Sequence, residues 1–221
     1  MNMRKLFPFL SLIVCGFLSS APQAKDDLCS ALVLGHPNIV NNCGFETGSF
    51  SSWTIGGNTA NPGGNYYGVD SFDAHSGNDG AFMSQDFVDG GKVPVTLSQT
   101  LATTAGAEYE VSFYLEQDTV PTTGYTHAFS ALFGSTTMLS LSPTVTLPGS
   151  VGSFVDYTFF ETASSASTTI QFSFENDDNY WSFDDVSVTL VPEPSTLIPT
   201  GVASATLLLL WCRRSRLRPL A

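Results

Sequence analysis

The chain has 221 residues, 43% hydrophobic and only 13% charged, with a net charge of −12. That much apolar and aromatic content excludes a disordered chain. All 20 acids fall between Asp26 and Glu193, and residues 25–193 hold two lysines and no arginine, so this part carries −18 and repels nucleic acid.

The N-terminus reads as a leader. Arg4 and Lys5 precede an apolar run from Leu6 to Phe17, then Ser19-Ser20-Ala21-Pro22-Gln23-Ala24. A charged start, an apolar middle and a small-residue end make a secretory signal peptide over residues 1–24. Export into an oxidising compartment leaves Cys29 and Cys43 as a pair. They form a bridge, or they are two small buried thiols. A bridge would close a 15-residue loop, worth roughly 3 kcal/mol on the chain-entropy model.

Residues 25–190 predict one all-β domain, because no helical period of useful length occurs and short strand patterns recur between Gly, Pro, Asn and Asp clusters. A short first strand enters a glycine-punctuated loop over 38–53, carrying Phe45, Glu46 and Trp53. Residues 58–67 read as loop. A short strand over 81–86 follows, then an alternating one over 93–101 whose inner face is broken by Gln99. The clearest strand covers 108–118, with Tyr109, Val111, Phe113 and Leu115 on one face. Further strands cover 127–133, 154–162, 168–175 and 181–191, and in the third of these Ile170, Phe172 and Phe174 point inward. Eight or nine strands without helices imply an antiparallel two-sheet sandwich.

In the last strand, period two puts Asp184 on the inner face with Val186 and Val188. A buried carboxylate must be paired, ligated or protonated. A hard cation with oxygen ligands is one solution, with Glu46 as second ligand and Asp79 as a third oxygen. The alternative is that Asp184 caps the strand end, bonded to loop amides. The aromatics Trp53, Tyr66, Tyr67, Tyr125 and Trp181 lie in or beside loops, where a flat ring can stack on a sugar. Tyr66 and Tyr67 lead that group, and Trp53 more readily plugs the sandwich end as part of the core. Three stretches, Asn42-Cys43-Gly44-Phe45-Glu46, Ala74-His75-Ser76-Gly77 and Phe183-Asp184-Asp185-Val186-Ser187-Val188, resemble the jelly-roll of carbohydrate-binding and galactose-binding-like modules. The resemblance implies a jelly-roll sandwich and a structural calcium at the matching Glu46 and Asp184. It also implies carbohydrate binding.

No catalytic motif stands out. A Gly-x-Ser-x-Gly elbow, His-Glu-x-x-His, a phosphate-cradling loop and Cys-x-x-Cys are all missing from the sequence. His36, His75 and His127 lie far apart. The reading is therefore not an enzyme, and a two-acid glycoside hydrolase or lyase is the catalytic alternative, because carboxylates abound.

Past the sandwich come Pro192-Glu193-Pro194, an uncharged run from Thr196 to Trp211, and Arg213, Arg214 and Arg216. The prolines hold the chain extended. The 16-residue run reaches ~24 Å as a helix against a bilayer core of ~30 Å. The arginines fix its far end in the cytoplasm. A plain tail anchor would look similar. Extended tripeptide, short span over 196–212 and basic stop together resemble the PEP-CTERM sorting signal of Gram-negative surface proteins, here residues 191–218. That resemblance implies an exosortase as partner, transient residence in the inner membrane, cutting near the Pro-Glu-Pro, and association with exopolysaccharide. The mature form is then expected at the cell surface or outside it. A passive structural or adhesive protein bridged by divalent cations is the other non-catalytic reading.

Overall fold

Alternating inward and outward side chains build a two-sheet sandwich. The computed structural model describes residues 29, 35–57, 59, 67–84, 93–119, 127–141, 151–176 and 179–193. The leader 1–24, the run 196–212, Pro194, Arg213, Arg214, Arg216, Tyr66 and Tyr125 lie outside the described residues. Among the described residues no helix is long and apolar enough to cross a membrane.

The strands are β1 (Thr54–Gly57), β2 (Tyr67–Asp70), β3 (Gly80–Met83), β4 (Val95–Ala102), β5 (Glu108–Gln117), β6 (His127–Phe133), β7 (Thr136–Leu141), β8 (Val155–Thr162), β9 (Ser167–Asn176) and β10 (Trp181–Leu190). One sheet has the order β1-β4-β9-β6-β7 and the other β2-β3-β10-β5-β8. Every pairing between these strands is antiparallel. The chain repeatedly crosses from one sheet to the other, which gives an all-β jelly-roll sandwich.

The core lies between the sheets. Val111, Phe113 and Leu115 of β5 and Ile170, Phe172 and Phe174 of β9 are all fully buried, as the alternation requires. Phe113 sits at the centre, with ring centroids 5.2 Å from Phe172 and 5.7 Å from both Phe129 and Phe183. Edge-on and tilted rings at these spacings add roughly 0.5–1.5 kcal/mol per pair beyond the buried area.

Gln99 keeps its inward position because its amide behaves like a piece of backbone. Its Nε2 donates to Asn41 O at 2.9 Å, and its Oε1 accepts from Asn41 N at 2.8 Å. The broken hydrophobic face thus docks the N-terminal segment.

That segment completes the sheet around β10, yet residues 38–53 form turns rather than the expected first strand. Ile39 N donates to Val188 O at 3.0 Å and Val186 N to Cys43 O at 3.0 Å. Asn38 bonds β10 twice more: its Oδ1 accepts Val188 N and its Nδ2 donates to Val186 O, both at 2.9 Å. These bonds occupy the flank of β10 that β3 leaves uncovered beyond Phe183. Cys29 and Cys43 are joined, with Cα atoms 5.6 Å apart.

Three strands depart from the sequence reading. β1 and β2 are four residues each, too short for a period to declare itself. β7 follows β6 through a two-residue turn, Gly134-Ser135, with Gly134 at φ 61°. A Gly-Ser pair between two strands is a hairpin signal.

Replacing Cys29 and Cys43 with serine should lower the unfolding free energy by roughly 3 kcal/mol. Urea denaturation under non-reducing conditions checks this. An unchanged midpoint would mean the bonds of Asn38 and Ile39 hold the segment by themselves.

Candidate functional site

The outer face of the sheet β2-β3-β10-β5-β8 gathers the polar side chains that the core does not use. Its geometry starts from an irregularity in β10. Phe183 pairs with Leu115 and Asp184 with Tyr114, but the next regular pair is Ser187 with Ser112, so a bulge falls between Asp184 and Ser187. Asp185 sits there at φ 52°, a left-handed conformation that Asp tolerates better than most residues. The bulge reverses the alternation. Trp181 and Phe183 point to the core before it and Val186 and Val188 after it. Asp184 therefore lies on the outer face beside Tyr114, which corrects the inward placement that strict period two predicts.

Asp184 is nevertheless wholly buried, because the loop 71–79 between β2 and β3 folds over it. Asp70 starts the loop by accepting Phe72 N at 2.8 Å and Asp73 N at 3.3 Å. His75 N and Ser76 N then donate to Asp184 Oδ2 at 2.8 and 3.2 Å, while Asp185 N donates to Asp184 Oδ1 at 2.8 Å. Asp185 accepts Ser76 Oγ at 2.7 Å and contacts His75 Nδ1 at 2.6 Å. The His75 ring stacks on Tyr114, with centroids 3.6 Å apart.

Glu46, reaching in from the 41–53 loop, holds the far end of the same segment. It accepts Asn78 N at 2.8 Å and Asp79 N at 3.1 Å. Gly77 makes this possible: a Cβ there would stand 1.9 Å from Glu46 Oε1. Gly80 has a matching role at the loop's exit, where a Cβ would stand 1.9 Å from Asp73 O.

Glu46 and Asp184 thus hold one loop by accepting hydrogens, and Asp79 enters the arrangement as a backbone N–H donor to Glu46. Among the described residues no group of three or more His, Cys, Asp or Glu side chains is placed to hold a metal. The Glu46 and Asp184 oxygens that would face a calcium already take N–H donors. In this arrangement the residues do not fit the ion.

Burial pushes the Asp184 carboxyl up to about 8, aided by the charge of Asp185 and opposed by the amide hydrogens of Ser76, Asp185 and His75. No lysine or arginine lies among the described residues, so amides and protons do the neutralising.

Beyond the loop the same outer face is open. One register row runs Gly68, Phe82, Ser182, Glu116 across β2, β3, β10 and β5. Phe82 lies over Gly68, where a Cβ would meet its ring at 2.4 Å. Tyr180 stands edge-on to Phe82 at 5.3 Å. Ser182 Oγ bonds to Asp73 and, at 3.0 Å, to Asp118. Phe72 at the loop's turn is 93% exposed.

Of the aromatics offered for a sugar, the three among the described residues pack inward. Trp53 is buried, stacked 5.9 Å from Phe45, and donates Nε1 to Asn42 O at 3.0 Å. Tyr67 packs against the core, 6.2 Å from Phe50. Trp181 is buried too, with Nε1 donating to Glu175 O. All three fall on the inward parity of their neighbourhoods. Sequence reading missed Phe82 and Tyr180. The usable signal was Gly68, which sits where a partner strand needs room for a flat ring.

No protein-family model and no curated protein matches the chain. Solved structures share the architecture. The K1 cleaved adhesin domain of Lys-gingipain from Porphyromonas gingivalis W83 is 15% identical, with TM-score 0.50, covering 67% of this chain and 96% of that one. TmCBM61, solved with β-1,4-galactotriose, is 19% identical, with TM-score 0.49, covering 70% and 99%. The CBM22-1 xylan-binding domain of Paenibacillus barcinonensis Xyn10C is 13% identical, with TM-score 0.47, covering 72% and 97%. At these identities the likeness is one of fold.

Asp184 makes stability depend on pH. Its folded carboxyl sits near 8 against an ordinary 3.8, so the folded state holds a proton that the unfolded state releases. Its contribution is complete below about pH 4 and is lost as pH rises through about 8. Urea midpoints measured across that window should fall with pH. In Asp184→Asn, which cannot ionise, the fall should be shallower. A wild-type midpoint rising over the same window would overturn the assignment. Gly77→Ala should separately cost about 2 kcal/mol, because a left-handed β-carbon adds strain and displaces Glu46 from two amides.

Proposed function

We propose that the protein is an exported, non-catalytic surface protein whose sandwich binds carbohydrate of the extracellular matrix. The observation that carries the reading is the open row on the β2-β3-β10-β5 face. It offers two half-exposed rings, Phe82 and Tyr180, flanked by Asp73, Glu116 and Asp118. An aromatic face takes the C–H side of a pyranose, and carboxylate oxygens accept its hydroxyl hydrogens. The same residues lack the orienting pairs a hydrolase needs: His75 is engaged by Asp185 under the loop rather than beside a nucleophile.

Routing to the surface is part of the proposal. Residues 1–24 direct export. The Pro-Glu-Pro at 192–194, the span over 196–212 and the terminal arginines form the signal an exosortase would read. The end of β10 supports this. Val191 N makes the last bond of that edge, to Glu108 O at 2.9 Å. Pro192 has no N–H to continue the ladder, and Pro192 and Glu193 are exposed. A protease would meet the motif at the first residue that the sheet releases.

A second reading, a passive matrix protein bridged through divalent cations, draws on the −18 charge of the exported part. Calcium-dependent self-association without retention on any glycan would favour it.

Passing the exported chain over immobilised exopolysaccharide should retain the wild type. Phe82→Ala and Tyr180→Ala should each weaken retention about tenfold, on the scale of one lost ring contact. Equal retention of both variants would remove this face from the reading. Replacing Pro192 and Pro194 with alanine should leave a C-terminal mass that still includes Arg213 and Arg214. An unprocessed wild type would reduce the C-terminus to a plain tether.

A further inference from the structure

We propose that Asp73 and Asp118 share one proton across Ser182, and that this proton ties the loop 71–79 to the open row in acid and releases it above neutral pH. The inference stands whether or not the row takes sugar.

It follows from counting hydrogens. Ser182 Oγ lies within bonding distance of Asp73 Oδ1 and 3.0 Å from Asp118 Oδ1. A serine hydroxyl has a single hydrogen, and an ionised carboxylate has none. Ser182 can donate to one of the two acids only. The other contact is a hydrogen bond only if that acid carries a proton and donates it to a lone pair of Ser182 Oγ. Three oxygens in line therefore need two hydrogens. With both acids ionised, one contact becomes a repulsion between lone pairs, and two carboxylates face each other across one atom.

The surroundings favour the proton. Ser182 is buried and both acids are partly so. Asp70 at the end of β2 and Glu116 opposite Ser182 on β5 are further charges around it, and both are acidic. On β10, Asp184 and Asp185 add two more, and the imidazole of His75 is committed to Asp185. Burial pushes the Asp73 carboxyl up to about 7, with Asp70 adding to the rise against the hydrogen bond from Ser182. Burial likewise raises Asp118, and raises Glu116 with help from Asp118. Held above the ordinary 3.8, the shared proton contributes fully below about pH 4 and is lost as pH climbs through about 7.

The mechanical consequence is local. Asp73 ties the loop 71–79 to Ser182, and Ser182 is central in the row between Phe82 and Glu116. Losing the proton loosens the tie between the loop and the row, leaving the near end on the bonds to Asp70 while Glu46 and Asp184 hold the far end and middle.

The test uses the full exported chain, with carboxyl carbons followed by NMR from pH 4 to 9 and amide exchange read at Asp73 and Ala74. Asp73 should titrate near 7. Protection, corrected for ordinary base catalysis, should fall about tenfold per pH unit above that point, as release of one proton requires. Asp118→Asn supplies a permanent N–H donor of the same shape. It should keep the loop protected at pH 8 and bring the Asp73 midpoint down by about one unit or more. Because His75 and Asp184 are unchanged in this variant, any pH response they cause would persist. An Asp73 midpoint near 4 in the wild type, or an Asp118→Asn variant with wild-type pH dependence, would overturn the shared proton. Glycan retention plays no part in either readout, so failure here is distinct from failure of the carbohydrate reading.

Discussion

Buried carboxylates held by backbone amides are the constraint around which this protein is arranged. Taking an ionised acid out of water without a partner costs several kcal/mol. In most domains an arginine or lysine compensates, and here none lies among the described residues. The loop 71–79 supplies the missing donors. Its amides at His75 and Ser76 go to Asp184, and those at Asn78 and Asp79 go to Glu46. The loop has no secondary structure of its own, so its N–H groups need acceptors as much as the acids need donors. Each side satisfies the other, which is how a loop can lie across a sheet as an ordered cover.

The bulge in β10 makes that exchange possible. A regular strand would carry Asp184 and Val186 on one face, putting an acid into the aromatic core or a valine into water. One inserted residue at Asp185, in a left-handed conformation, lets Phe183 and Val186 both point inward and turns both acids out. The cost of order 1–3 kcal/mol for such a backbone is offset by the bonds Asp185 makes to Ser76 and His75. The two glycines that flank the loop's end, Gly77 and Gly80, act in the same direction, since each removes a β-carbon from the path of an oxygen.

What could be read from the chain followed from how far each signal extends. β5 and β9 run for ten residues each, long enough for period two to name their inner faces residue by residue, whereas in β10, equally long, the bulge shifts the alternation and misplaces Asp184. β1 and β2 have four residues each and little contrast between faces, so nothing periodic marks them. Gln99 looked like a flaw in a hydrophobic face, because its partner Asn41 is 58 residues away and only folding shows that the amide docks backbone. For Asp184 the sequence left two readings open, a cation ligand and an acceptor of loop amides, and the bonds from His75 N and Ser76 N are those of the second. A carboxylate that accepts amides and one that binds an ion have the same letter in a sequence. Tyr67 and Phe82 show a related limit: they occupy neighbouring strands, and their opposite facing is decided by register, with Met83 opposite Tyr67 and Gly68 opposite Phe82.

The placement of β10 links the sandwich to whatever follows it. β10 lies between β3 and β5 over its first half and between the N-terminal segment and β5 over its second. It is the last of the described strands and is buried along nearly its whole length. A pull on the C-terminus loads the ladder to β5 along its length in shear, together with the bonds from Asn38 and Ile39. The disulfide to Cys29 anchors that same N-terminal segment at Cys43, whose carbonyl accepts Val186 N. A terminus that leaves from a central, cross-braced strand can be held, cut or reattached without opening the fold. Pro192, exposed and without an N–H, then marks a sharp border between what the sheet protects and what it exposes. Had the segment left from an edge strand such as β8 or β7, handling of it would have frayed the sheet first.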